Sequence, residues 1–213
     1  MHFNFDPLKK YSGILVHPSS LPGGSYCGTF GNSVKDWIQI LSNYKINTWQ
    51  FLPLSPTDSV GSPYSSPSSF ALNPWFLDVE ELTNNNFIKQ SHQVKKFQLD
   101  AENSNVFQFK VADELSNIIG NLLIDSWELQ SSDKKDQFYV WCKNNSWVND
   151  FSVFMTLKEE FNFSAWWNWP EDFKYKNKLA IEQWEKNNVK PLLKRKLVQW
   201  HFDRQWLKLK KFA

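Results

Sequence analysis

Two short apolar runs constrain this chain more than anything else in it. Residues 12–17 read Ser-Gly-Ile-Leu-Val-His and stop at Pro18; residues 48–52 read Thr-Trp-Gln-Phe-Leu and stop at Pro53. Unbroken apolar runs of this length with β-branched content suit strands buried on both faces, as in a parallel sheet. Between them, a turn-rich segment holds four of the seven glycines and leads to Asn32 or Ser33, either of which makes a good N-cap. Val34, Trp37, Ile38 and Leu41 then fall at i, i+3, i+4 and i+7, one face of an amphipathic helix. Strand, loop, helix and strand over about 40 residues make a βαβ unit, so the expected class is α/β with helices packed on a parallel sheet.

After the second run the pattern changes. Residues 55–74 are dense in Ser and Pro, a composition normal for flexible linkers. The embedded Tyr64 and Phe70 and the Ala-Leu-Asn-Pro-Trp-Phe-Leu continuation argue for an ordered loop instead. Residues 77–82 fit a short strand or the start of a helix equally well. From about Asn105 the periodicity is helical. One stripe is Phe107, Val111, Leu115, Ile118, Ile119 and Leu122, and a second is Trp147, Phe151, Phe154 and Phe161 with Val148 and Met155 beside them. A third runs from Leu193, Leu197 and Trp200 to Leu207. This half holds nine of the 12 tryptophans, and no internal repeat is visible.

Several classes are excluded. A chain of 213 residues is one domain, or somewhat more. Its charge of +2 gives no footprint for nucleic acid or an acidic membrane. No apolar run approaches the ~20 residues of a membrane-spanning helix, and the start lacks a secretory apolar stretch. Two distant cysteines, Cys27 and Cys142, make no disulfide framework, so a reducing, cytoplasmic setting is expected. His2, His17, His92 and His201 sit in no zinc-binding spacing, and no phosphate loop or nucleophile elbow occurs. Neither a metal nor a cofactor is expected.

The remaining candidates are few. His17 ends the first run, where parallel α/β folds bind ligands; a histidine satisfied by a loop carbonyl explains it as well. Glycosyl chemistry needs paired carboxyl groups, and Asp58 is the one carboxylate in a loop after a run. Glu159–Glu160 and Glu171–Asp172 read as solvated helix faces. Tyr64, inside the Ser/Pro-rich loop, is either a platform on which a sugar's C–H face packs or a pin tying the loop to the core. Ser62 and Asn73 supply polar groups for hydroxyls nearby. Of Trp166, Trp167 and Trp169, two are expected between helices and one at the surface. The basic tail, Leu-Lys-Leu-Lys-Lys-Phe-Ala, reads as a solvated last helical turn.

Several of these strings together resemble the amylomaltases, or 4-α-glucanotransferases. The first is SGILVHPSSLPGGSYCGTFGNSVKDWIQIL; the second is TWQFLPLSPTDSVGSPYSSPSSFALNPWFLDVEEL; SWVNDFSVFMTLKEEF, WWNWP and FDRQWLKLKKFA agree. The resemblance covers residues 12–213. It implies a (β/α)8 TIM barrel with an inserted helix-rich subdomain, acting on α-1,4-glucans by retaining transfer through a covalent glycosyl-enzyme. On it, residues 1–82 are the first βα elements, 83–190 the helical insert and 191–213 a helix leading back to a truncated barrel. Ser62 and Tyr64 match the family's Ser-Pro-Tyr loop at the donor sugar; Gly61 departs from its usual Asp or Asn.

The resemblance places the family's catalytic carboxylates after later strands, so none is assigned to this chain. It is expected to be an N-terminal portion, inactive alone, with exposed strand edges and a missing C-terminal half as partner. The expected ligands are maltooligosaccharides or starch- and glycogen-type glucans. The rival expectations are a non-catalytic α-glucan-binding module and a helical interaction protein.

Overall fold

A computed structural model of the chain describes residues 10, 12–22, 27–58, 61–92, 94–96 and 109–213. The two apolar runs form the strands β1 (Gly13–Leu15) and β2 (Thr48–Gln50), with helix α1 (Asn32–Asn43) between them. The strands are parallel, Gly13 opposite Thr48, Ile14 opposite Trp49 and Leu15 opposite Gln50. The Trp49 indole N–H adds a bond of 2.8 Å to the Val16 carbonyl. Among the described residues the sheet has these two strands only.

The expected burial on both faces is not found. Gly13, Leu15, Thr48 and Gln50 are exposed, Leu15 by 59%, while Ile14 and Trp49 turn partly inward. A helix covers only that inner side, where Trp49 meets Trp37 of α1 edge to face at 6.5 Å. Helix α1 itself buries Val34 and Leu41 as its periodicity requires.

The N-cap of α1 is Gly31 rather than Asn32 or Ser33, and it makes no side-chain cap bond. A carboxylate from elsewhere takes the place of a local cap: a Cβ on Gly31 would lie 2.0 Å from Asp78 Oδ2. That oxygen accepts the Thr29 hydroxyl at 3.1 Å, and Oδ1 accepts the Glu81 N–H at 2.6 Å. Asp78 thus caps helix α2 (Val79–Asn84) while lying at the positive end of α1. Residues 77–82, open between strand and helix in the sequence, are therefore mostly helical.

The rest is helical: α3 (Phe109–Trp127), α4 (Ser132–Asn144), α5 (Trp147–Glu160), α6 (Glu171–Lys174), α7 (Lys178–Asn187) and α8 (Val189–Phe212). Helix α8 is the axis of the core and is buried all round from Leu197 to Phe202. Leu193 at the start of its predicted stripe is half-buried and Leu207 at the end is exposed. Phe87, Trp127 and Phe138 gather around Trp200 in edge-to-face contacts, Phe138 to Trp200 at 5.5 Å. Helix α3 crosses α8 at Gly120, where a Cβ would stand 2.9 Å from the Lys194 side chain. In α3 the deepest line is Ala112, Leu115, Ile119, Leu123 and Trp127. Phe107 of the predicted stripe lies outside the described residues.

Helix α5 departs most from its pattern. Its buried residues are Val148, Ser152, Thr156 and Leu157, whereas Trp147, Phe151 and Phe154 are half-buried. Small side chains admit the neighbouring helix, and their hydroxyls are satisfied locally: Ser152 donates to the Asn149 carbonyl and Thr156 to that of Ser152. Arg195 of α8 donates to Thr156 Oγ1 at 3.0 Å. A smaller second core holds Leu157, Trp169, Trp184 and Leu192. Of the three clustered tryptophans only Trp169 is buried; Trp166 and Trp167 are both exposed, the reverse of the expected two to one. Among the described residues no helix is long and apolar enough to cross a membrane.

Candidate functional site

The segment leaving β2 is mostly half-buried, with Leu54 buried, and is held by side chains instead of secondary structure. Asp58 Oδ1 accepts the Ser62 N–H at 2.9 Å and the Asp58 carbonyl accepts the Gly61 N–H at 3.1 Å. Ser62 Oγ accepts the Tyr64 N–H at 3.4 Å, and the Ser62 carbonyl accepts that of Ser65. Further on, Ser66 Oγ bonds both the carbonyl and the N–H of Ser68, and Ser68 Oγ accepts the N–H groups of Phe70 and Ala71. Each Ser or Asp thus folds the backbone two to four residues on, the standard use of such residues in turns. With Pro63 and Pro67 fixing φ, a composition typical of linkers makes an ordered loop.

Gly61 has φ of 78°, the left-handed region that Gly occupies freely and Asn or Asp tolerate. The departure from Asp or Asn at this position therefore keeps the one property that the backbone demands.

Downstream the loop is clamped to α8. Gln199 Oε1 accepts the Leu72 N–H and its Nε2 donates to the Leu72 carbonyl, both at 2.8 Å. Gln205 repeats this with Asp78, at 2.9 Å and 3.0 Å. Both glutamines are buried, as polar groups must be when fully paired. Neither was singled out in the sequence, although two glutamines six residues apart amid bulky apolar neighbours are a legible signal. Glu81 adds to the clamp. Burial pushes its carboxyl up, but the Lys208 ammonium, Arg204 and Gln205 outweigh this and hold it below the usual range.

The structure places the candidates unequally. The Tyr64 ring is 74% exposed, so it does not pin the loop to the core of the described chain. Ser62 is half-buried and shapes the turn beneath it. Asn73 is buried; its Oδ1 accepts the Trp75 N–H at 3.1 Å, capping the 3₁₀ turn Pro74–Phe76, and its N–H donates to the Leu54 carbonyl. His17 Nδ1 bonds the Ser19 hydroxyl at 2.8 Å, and the Pro53 carbonyl of the loop after β2 also lies against the ring. Burial lowers its pKa, the nearby Pro53 carbonyl being the weaker, opposing influence, and Nε2 makes no hydrogen bond of normal geometry.

The sequence profile of one family, described as 4-alpha-glucanotransferase, matches residues 16–213. A 4-alpha-glucanotransferase of Streptococcus pneumoniae is 32% identical over 206 residues, 96% of this chain and 40% of the relative. One from Clostridium butyricum is 32% identical over 200 residues, 93% of this chain and 40% of the relative. Among solved structures, an amylomaltase from Streptococcus agalactiae in complex with acarbose superimposes with a TM-score of 0.82 at 26% identity, covering 96% of this chain and 41% of that one. The chain thus spans about 40% of the length of the curated relatives it matches.

Proposed function

Because the chain belongs to the 4-alpha-glucanotransferase family, we propose that its Ser62–Tyr64 turn forms part of a sugar-binding surface for α-1,4-glucans. The whole protein would be an enzyme that transfers glucan segments between maltooligosaccharides in the cytoplasm. The observation that carries this reading is the Tyr64 ring, 74% exposed on a turn that Asp58, Gly61 and Ser62 hold rigid. A ring carried on such a turn presents an apolar face to the C–H groups of a pyranose, and the backbone beneath it needs little further ordering on binding. Ser62 and Asn73 then act beneath it, as positioning groups for the turn and for its downstream anchor.

The transfer reaction itself is retaining in this reading. It requires two carboxyl groups roughly 5–5.5 Å apart, one as nucleophile and one as acid and base, and no residue of this chain is assigned either role. The strands β1 and β2 would be the first of a (β/α)8 barrel, with 83–190 a helical insert and α8 the return. The exposed face of β1 and β2, which carries Leu15, supports this, since in a closed barrel the inward side chains of the other strands would cover it.

The test is to incubate the purified chain with maltotriose and follow glucose and longer dextrins. No turnover above a blank is expected from the 213 residues, while maltoheptaose should still bind by calorimetry. Turnover would overturn the assignment of the carboxylates elsewhere; unchanged maltoheptaose affinity in Tyr64→Ala would overturn the role of the ring.

A further inference from the structure

The Tyr64 turn belongs to a loop whose two ends meet. The Asn73 N–H donates to the Leu54 carbonyl at 2.7 Å, closing a neck between the exit of β2 and the 3₁₀ turn Pro74–Phe76. One side chain from outside the loop touches both sides of this neck. The His17 ring, just past the end of β1, lies against the Pro53 carbonyl on the incoming side. On the outgoing side it packs on the Phe76 ring, with centroids 5.4 Å apart and planes at 60°. Phe76 is buried and meets Phe30 and Phe202 in turn, so this side is anchored in the core.

His17 is itself oriented by the turn that follows it. Its Nδ1 accepts the Ser19 N–H at 3.4 Å, capping Pro18–Ser20, and bonds the Ser19 hydroxyl at 2.8 Å. A ring nitrogen that accepts carries no proton, so the proton of the neutral ring belongs on Nε2. Nε2 is buried without a hydrogen bond of normal geometry, and with Nδ1 taken it is the nitrogen left to the Pro53 carbonyl. A buried N–H without a partner has lost its water and gained nothing in return. Drawing Pro53 into line removes that cost and tightens the neck.

We infer that His17 is a positioning residue for the Tyr64 turn, its Nε2–H joining the end of β1 to Pro53 at the mouth of the loop. The inference rests on the sugar-binding reading of that turn and names the group that holds the turn in place. A residue needed only to cap Pro18–Ser20 would use Nδ1 alone, and Asn is the better cap. What the imidazole adds is a second nitrogen that reaches the loop of the neighbouring strand.

The experiment compares the chain with its His17→Asn and His17→Gln variants. His17→Asn puts an oxygen where Nδ1 stands and keeps the cap; His17→Gln puts an amide N–H near Nε2 and keeps the reach to Pro53. Amide hydrogen exchange is followed at Ser62 and Asn73, and maltoheptaose binding by calorimetry. In His17→Asn both amides should exchange roughly tenfold faster, and maltoheptaose should bind several-fold more weakly. His17→Gln should stay close to wild type in both. Nuclear magnetic resonance of the wild-type histidine ring nitrogens should show Nδ1 bare and the Nε2 proton protected from water. The reverse order, with His17→Gln loosened and His17→Asn intact, marks a simple cap and overturns the proposal. So does an Nδ1–H tautomer in the wild type, a measurement that needs no variant to fold. Loosened amides with unchanged maltoheptaose affinity in His17→Asn overturn it as well. If the wild type itself binds no maltoheptaose, the sugar reading of the turn falls, while the expected exchange order still upholds His17 as the tie of the loop.

Discussion

The side-chain amide of Gln199 closes a ring of two hydrogen bonds with the backbone of Leu72, both at 2.8 Å, and so serves as one rung of a strand that is not there. This rung fixes the downstream end of the loop bearing Tyr64. Gln199→Met keeps the volume but leaves the Leu72 N–H and carbonyl without partners. The expected loss is about 2 kcal/mol, lowering the melting temperature by roughly 4–8 °C. Thermal unfolding of the two proteins checks it, and Gln199→Glu should be at least as destabilising near neutral pH, because its carboxylate would be buried against the Leu72 carbonyl.

Tyr64→Ala removes an exposed ring that no buried neighbour needs. Stability should move by less than about 0.5 kcal/mol, while maltoheptaose affinity should fall about tenfold, or ~1.4 kcal/mol. Calorimetry together with a melting curve separates these effects.

Gly61, at φ 78°, discriminates among substitutions by backbone alone. Gly61→Asn should cost a few tenths of a kcal/mol, whereas Gly61→Val should cost about 1–2 kcal/mol, because a β-branched side chain crowds the left-handed region. Denaturant midpoints compare the two directly.

His201 is 1% exposed, against Phe87 and Trp200, with its Nδ1 2.9 Å from Arg204. Burial, with the charges of Arg204 and Lys134 behind it, drives its pKa well below 6.5. The native ring stays neutral while the unfolded chain takes up a proton near pH 6.5, so the unfolded state binds more protons and stability falls as pH drops below that value. The slope approaches about 1.4 kcal/mol per pH unit. His17, also lowered, acts in the same direction. Melting curves from pH 7.5 to 5.5 should show the decline, and it should be shallower in His201→Gln.

The two thiols should separate by reactivity. Burial pushes Cys27 up to about 12, and it is 5% exposed; Cys142 is raised too, by burial, but lies half-open. An alkylating reagent should label Cys142 first and Cys27 only on unfolding, which peptide mass spectrometry reads out.

The sequence was most legible where chemistry is local. Proline stops and glycine-rich turns delimit both strands, and the 3.6-residue spacing of Val34 and Leu41 gives the buried face of α1. It was least legible where burial depends on partners distant in the chain. In α5 the aromatics suggested the buried stripe, yet Ser152 and Thr156 lie innermost because α8 needs room and Arg195 supplies a donor. The N-cap of α1 falls on Gly31 rather than on Asn32 or Ser33, with Asp78 of a distant segment beside it, for the same reason. Around Tyr64 the Ser/Pro composition could be read as order only because aromatics were set in it; the hydrogen bonds that make the order run from side chain to backbone and leave no periodicity.

The glutamine clamp has a temporal consequence. Gln199 and Leu72 are 127 residues apart, as are Gln205 and Asp78. At about 5–20 residues per second, the ribosome takes on the order of 6–25 s to deliver α8 after the loop has been made. Through that interval the Tyr64 loop waits without its last two anchors, as a nascent chain whose finishing rung is still being synthesised.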